Sequence, residues 1–201
     1  MAEKKRTTSK NTLRVDAPKS FLNKLGEMHT AERELTLALP LIVKAAKSKD
    51  LKALLKLHLT ETKGHLKALD DVAKNLEQDL PTKGCKQMTK LVGEGVKVIG
   101  KRLVSSGQDA DIIAVGRKIE QFEIASYKEL CATANEHGYT HEFALLTSIL
   151  NQEILANELL GQLGEGQGPL NKLIEKISLK KAGATSTDLA GGRARKKAGK
   201  R

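Results

Sequence analysis

The apolar residues of this 201-residue chain recur at intervals of three and four over most of its length. That spacing constrains the fold more than any other feature. It marks helices with one buried face and does not fit the strict alternation of a half-buried strand. The first stripe reads Leu25, Met28, Glu32, Leu35, Leu39, Ile42, Ala46. The second reads Leu51, Leu54, His58, Glu61, His65, Ala68 or Leu69, Val72, Leu76. The third reads Ile112, Gly116, Ile119 or Glu120, Glu123, Tyr127, Leu130, Ala134, and the fourth Phe143, Leu146, Leu150, Glu153, Asn157, Leu160.

Helix-breaking residues set the boundaries. The expected helices cover about Pro18–Ala46 with a kink at Pro40, about Asp50–Leu80 stopped by Pro81, about Asp109–Glu136 ended by His137-Gly138, and about Thr140–Leu163 ended by GEGQGP. The stretch Lys86–Leu103 carries Gly93, Gly95 and Gly100 and is expected to be short or irregular. A further helix is expected over about Leu170–Lys181. Two long hairpins joined by a long crossover define an all-α, ferritin-like four-helix bundle. The expected division is a basic disordered tail at 1–18, the bundle at 19–163, a linker and short C-terminal helix at 164–183, and a second basic disordered tail at 184–201.

Composition removes several alternatives. Three Phe, two Tyr and no Trp argue against a β-sandwich and against an aromatic platform for single-stranded nucleic acid. No apolar run reaches about 18 residues, so no membrane span is expected. The opening MAEKKRTTSK lacks the apolar stretch of a secretory signal. Cys85 and Cys131 make no disulfide framework, which points to a reducing cytoplasm.

Each long stripe contains a carboxylate. In an antiparallel hairpin, residues equidistant from the turn share one height. Glu32 and Glu61 are centred between positions 46 and 47, inside the first turn, and Glu123 and Glu153 on Gly138, inside the second. The second pair repeats the first at an offset of 91 to 92 positions, a pseudo-twofold arrangement. Four carboxylates meeting in a dry core would repel and lose hydration, and bound cations are the usual resolution. His65 lies one turn beyond Glu61 and Glu120 nearly one turn before Glu123, so both complete an oxygen-rich set with nitrogen donors. The expected metal ligands are Glu32, Glu61, His65, Glu120, Glu123 and Glu153, around two divalent ions, iron first and manganese second. His58, one turn before Glu61, divides evenly between core and ligand. His29, one turn before Glu32, is a candidate supporting residue, and Tyr127 reads as core.

The chain carries a net charge of +11, and all of it lies at the two ends. Residues 1–20 contribute +4, residues 179–201 contribute +7, and the middle is balanced. Cationic ends bind polyanions by counterion release. The candidate DNA contacts are Lys4, Lys5, Arg6 and Lys10 at one end and Arg193, Arg195, Lys196, Lys197, Lys200 and Arg201 at the other. Without aromatic residues or a scaffold for base edges, such binding is expected to be sequence-independent.

Four segments resemble the YciE/YciF family of ferritin-like stress proteins: HTAERELTLALP (29–40), HLTETKGHL (58–66), IEQFEIASYKEL (119–130) and the stretch around Glu153. The resemblance spans about residues 19–163, and EIASY after a preceding Glu is its most specific element. It implies a four-helix bundle, a dimetal centre, and a link to bacterial stress responses. It carries ligand roles onto Glu32, Glu61, Glu120, Glu123 and Glu153. Gln121 stands where the family often has His, Asn157 where it often has an acid, and His65 where it often has Gln. The functional expectation is a cytoplasmic, homo-oligomeric dimetal protein, a dimer or larger, that oxidises Fe(II) or handles peroxide. The alternatives are a nucleoid-associated DNA-binding protein and a structural bundle with an inactive centre.

Overall fold

The computed structural model describes residues 17–100 and 108–166, together with Ile177. Five helices lie within residues 17–100 and 108–166: α1 (Lys19–Ala45), α2 (Lys49–Asn75), α3 (Lys86–Gly100), α4 (Gln108–Glu136) and α5 (Thr140–Gly164). There is no strand among the described residues. Helix α1 packs on α2, α2 on α5, α5 on α4 and α4 on α1, which closes a four-helix ring; α3 lies against α1 and α4. The basic ends and most of the expected C-terminal helix lie outside the described residues, although Ile177 packs against the core.

Local chemistry accounts for the turns. Ser48 caps α2 by accepting a hydrogen bond from the Leu51 N–H at 3.4 Å. Asp109, in the first turn of α4, accepts from the Lys47 and Ser48 backbone N–H groups at 2.8 and 2.7 Å. Its carboxylate ties the start of the second hairpin to the turn of the first. The crossover must therefore travel the length of the bundle, and neighbouring helices in the ring alternate in direction. Helix α4 ends on Gly138, whose φ of 70° is the left-handed conformation that glycine adopts without strain. The Gly138 and Tyr139 N–H groups then close on the Asn135 and Ala134 carbonyls.

Three expectations change. Helix α2 stops at Asn75 rather than Leu80. Glu77 turns left-handed at φ 53°, and the Glu77 and Gln78 N–H groups bond back to Lys74 and Ala73. This is the same closure that ends α4, built here without glycine, so no sequence signal marks it. The glycine-containing segment α3 forms a regular helix of 15 residues. Its length of about 22 Å spans much of the crossover. Gly95 faces inward, where a Cβ would lie at ordinary contact distance, 3.7 Å from Val115 Cγ1 and 4.0 Å from Ile42 Cδ1, so the packing of α3 on α1 and α4 carries the helix across its glycines. Finally, the buried stripe of α5 runs through Leu146, Ile149, Glu153, Ala156, Leu159 and Leu160. Positions 149 and 156 replace the expected 150 and 157, because α5 is apolar on more than one side and its periodicity leaves the face undecided.

Candidate metal centre

All six expected ligands are buried, at mid-height of the ring. Helix α1 supplies Glu32, α2 supplies Glu61 and His65, α4 supplies Glu120 and Glu123, and α5 supplies Glu153. Helical spacing explains the grouping: residues three or four apart stand one above another on one face, so Glu120 and Glu123 share a face, as do His58, Glu61 and His65. Leu25, Leu69, Leu130 and Leu146 fill the ring on the side of the Gly138 turn and exclude water there.

The donor atoms form two groups. In one, His58, Glu120, Glu123 and Glu153 each offer an atom within 4.8 Å of the others; in the other, Glu32, His65 and Glu153 do the same. Glu153 belongs to both. Its Oε1 lies 3.0 Å from His65 Nδ1 and its Oε2 3.9 Å from His58 Nδ1. The His65 Nδ1 also lies 3.3 Å from Glu32 Oε1, and His58 Nε2 lies 3.4 Å from Glu120 Oε1. Glu61 is buried but falls in neither group, and its charge acts on the Glu120 carboxyl.

Two residues gain importance over the sequence reading. His58 enters the first group; its signal was the seam position one turn before Glu61. Tyr127, read as core, is fully buried and donates its hydroxyl to Glu32 Oε1 at 2.6 Å, fixing that carboxylate. Nothing in the spacing separates such a tyrosine from a packing one. Gln152 supports His65 from behind, with its Oε1 2.9 Å from Nε2, leaving Nδ1 to face the carboxylates. His29 does not support Glu32. It pairs with Asp70 at 3.2 Å on the outer face of the hairpin. Asn157 faces Arg117, whose Nε donates to its Oδ1 at 3.4 Å.

Electrostatics shows how the metal-free cluster holds together. Burial works against a charged His65, but hydrogen bonds to Glu153 and Glu32, with their negative charges, outweigh it and push its pKa up to about 11. Burial, reinforced by the Glu153 charge, raises Glu120 well above the carboxylate range. Burial and Glu32 do the same to Glu123, and burial and Glu32 raise Tyr127. Glu153 moves the other way: burial opposes ionisation, but the His65 hydrogen bond and both histidine charges hold it ionised. Without metal, a cationic His65 therefore neutralises the carboxylates of α1 and α5, while Glu120 and Glu123 favour their protonated forms.

The donor set fits a cation. Both Glu123 oxygens, Glu120 Oε2 and both His58 ring nitrogens are buried without a hydrogen-bond partner. Buried orphans of this kind are costly, and clustered oxygen and imidazole donors suit iron or manganese.

The family model described as a domain of unknown function, DUF892, matches residues 16–172. This chain belongs to the DUF892 family. Its bundle and buried cluster both lie within the matched span. The DUF892 chain is 33% identical over 135 residues to protein YciF of Escherichia coli strain K12, covering 66% of this chain and 81% of YciF. The crystal structure of the E. coli stress protein YciF matches with a TM-score of 0.71 at 30% identity, over 74% of this chain and 94% of that one. YcfI from Rhodopseudomonas palustris matches with a TM-score of 0.68 at 34% identity, over 71% and 90% of the two chains. A Xanthomonas campestris protein shares the fold at 17% identity and a TM-score of 0.59, over 81% of this chain and 96% of its own. No described helix of the DUF892 chain is long and apolar enough to cross a membrane.

Proposed function

We propose that this protein is a ferritin-like dimetal carboxylate protein of the bacterial stress response that binds iron or manganese in the buried cluster and oxidises Fe(II) or handles peroxide. The observation that carries the reading is the convergence of His58, Glu120 and Glu123, each with buried atoms that lack a hydrogen bond, on the shared carboxylate Glu153. Glu32 and His65 would serve the second position. A redox-active metal bound there would supply oxidant binding and electron transfer.

The chain's own residues have defined tasks in this reading. Tyr127 holds Glu32 in place, and Gln152 orients His65 so that Nδ1 faces the carboxylates. The close-packed leucines on the Gly138 side keep bulk water out. His65 must surrender its Nδ1 proton before it can act as a ligand, so loading is coupled to proton release. The test is an anaerobic titration with Fe(II) and with Mn(II), followed by exposure of the Fe(II) form to oxygen or peroxide. Two equivalents bound per chain, with Fe(II) consumed on exposure, support the reading. No binding above one equivalent rejects the dimetal centre, and binding without Fe(II) consumption leaves a structural bundle with an inactive centre.

The segregation of charge favours a second role beside the first. The ends hold +4 and +7 around a neutral middle, which suits sequence-independent DNA binding by a homo-oligomer in which several tails gain avidity. Removing residues 1–18 and 184–201 should abolish a salt-dependent gel shift and leave helicity and metal content unchanged. If the truncated bundle binds DNA with the same salt dependence, the tails do not carry it.

A further inference from the structure

On the opposite side of the cluster from the Gly138 turn, the ring is not filled. A cavity of about 30 Å³ lies among residues of all five helices, including Leu39, Leu54, Ile112 and Leu160. Only two of its wall residues are ionisable, and both belong to the cluster: His58 and Glu120. Both His58 nitrogens and Glu120 Oε2, already noted as buried without hydrogen-bond partners, thus form the one polar edge of this space.

We infer that this cavity is a binding site for a dioxygen-sized apolar molecule, held in van der Waals contact beside His58 and Glu120. The inference rests on the metal reading for its purpose but not for its test. Size sets the first limit. The space is about that of two water molecules, so a diatomic gas enters and an alkyl or acyl chain does not. Polarity sets the second. Apart from the His58 and Glu120 edge, where a water finds partners, the wall is aliphatic, and such a wall favours apolar atoms over water. Peroxide would give up its hydrogen bonds to water and find only the His58 and Glu120 edge in return. The aliphatic part of the wall therefore favours dioxygen over peroxide next to the cluster.

Two glycines keep the space open. Gly95 of α3 lines it, and a Cβ there meets only Val115 Cγ1 at 3.7 Å and Ile42 Cδ1 at 4.0 Å, so alanine fits while a longer side chain must project into the cavity. Gly116 of α4 lines it from another side, and a Cβ there would lie 3.1 Å from Leu160 Cδ1.

The experiment uses the full-length chain stripped of metal, with methyl-labelled leucine and isoleucine. Dissolved oxygen is paramagnetic and speeds the relaxation of methyl groups it touches. Under oxygen pressure, the Leu39, Leu54, Ile112 and Leu160 methyls should relax faster by about threefold or more than the equally buried Leu25, Leu130 and Leu146 methyls, because apolar gas concentrates in the void. Gly95→Leu should remove the difference, Gly95→Ala should keep it, and Leu160→Ala should enlarge it. Uniform relaxation of all seven leucine and isoleucine positions overturns the inference. So does a difference that survives in folded Gly95→Leu; if that variant does not fold, a response in Leu160→Ala no larger than in the unmodified chain overturns it instead. Metal content is measured separately: oxygen in the cavity of a chain that takes up no metal would preserve this inference and reject the dimetal reading.

Discussion

The two hairpins make unequal contributions to the same centre. The first, α1 and α2, supplies both histidines of the cluster and the carboxylate Glu32. The second, α4 and α5, supplies Glu120, Glu123 and Glu153, and no histidine. Helical register gives both hairpins a carboxylate at the same height, but the surrounding donors do not follow the pseudo-twofold relation. Glu153 stands in both donor groups, while Glu61, its counterpart by register, stands in neither. The difference teaches that charge is balanced across the seam between hairpins. Cationic His65 of the first neutralises Glu153 of the second, and in the proposed metal-loaded form that internal cation would be given up.

The largest effect expected from this asymmetry is on the pH dependence of the metal-free fold. His65 has a folded pKa near 11 against an ordinary 6.5. Its contribution to stability is therefore complete below pH 6.5 and is lost as pH rises toward 11, at about 1.4 kcal/mol per pH unit. Glu120 and Glu123, both raised, act in the same direction from the ordinary carboxylate range upward. Glu153, lowered, acts oppositely and weakens the fold only in acid. Thermal melts of the metal-free chain should fall steadily from pH 6.5 into the alkaline range, and His65→Gln should flatten that slope. A melting temperature that rises with pH would break the comparison.

A second contrast concerns a glycine in each hairpin. A Cβ on Gly26 of α1 would collide with the Pro81 backbone oxygen. A Cβ on Gly116 of α4 meets only the flexible end of Leu160, at 3.1 Å. Gly26→Ala should cost about 3 kcal/mol because backbone must move, and Gly116→Ala about 1 kcal/mol or less because a side chain suffices. Chemical denaturation of both variants measures the difference; equal costs would show that the crossover near Pro81 is not held against α1.

Much of this was legible in the sequence because helices and their faces leave periodic traces. Matched distances from the turns at 46–48 and 138 found carboxylates that the ring does bury at one level. The limits were equally physical. Periodicity reports which residues turn inward, not which of them meet, so it gave Glu61 and Glu153 equal standing and could not rank His58. Tyr127 has the spacing of a core residue, and its tie to Glu32 depends on a third dimension that the spacing lacks. The end of α2 at Asn75 was hidden because Glu77 takes a conformation usually marked by glycine. The regularity of α3 was hidden because it comes from packing against α1 and α4, a tertiary effect that overrides the low helix propensity of its glycines.

A smaller effect would sharpen the hairpin comparison at its most symmetric point. Glu61→Gln should weaken metal binding by about tenfold, the scale of a supporting residue that acts through its neighbours. Isothermal titration with Mn(II) provides the measurement. A complete loss would restore Glu61 to the ligand set and make the two hairpins equivalent.

The central claim is that Glu153 joins the two donor groups into one metal centre. Glu153→Gln keeps the shape of the side chain and removes its charge, so the bundle should remain folded. The most direct measurement is the metal-to-protein ratio of the unmodified and Glu153→Gln chains, purified in parallel without added metal and checked for equal helicity. Iron or manganese is expected in the unmodified chain and about none in the variant. Equal metal content in the two, or no metal in the unmodified chain even after anaerobic addition of Fe(II) or Mn(II), would contradict it.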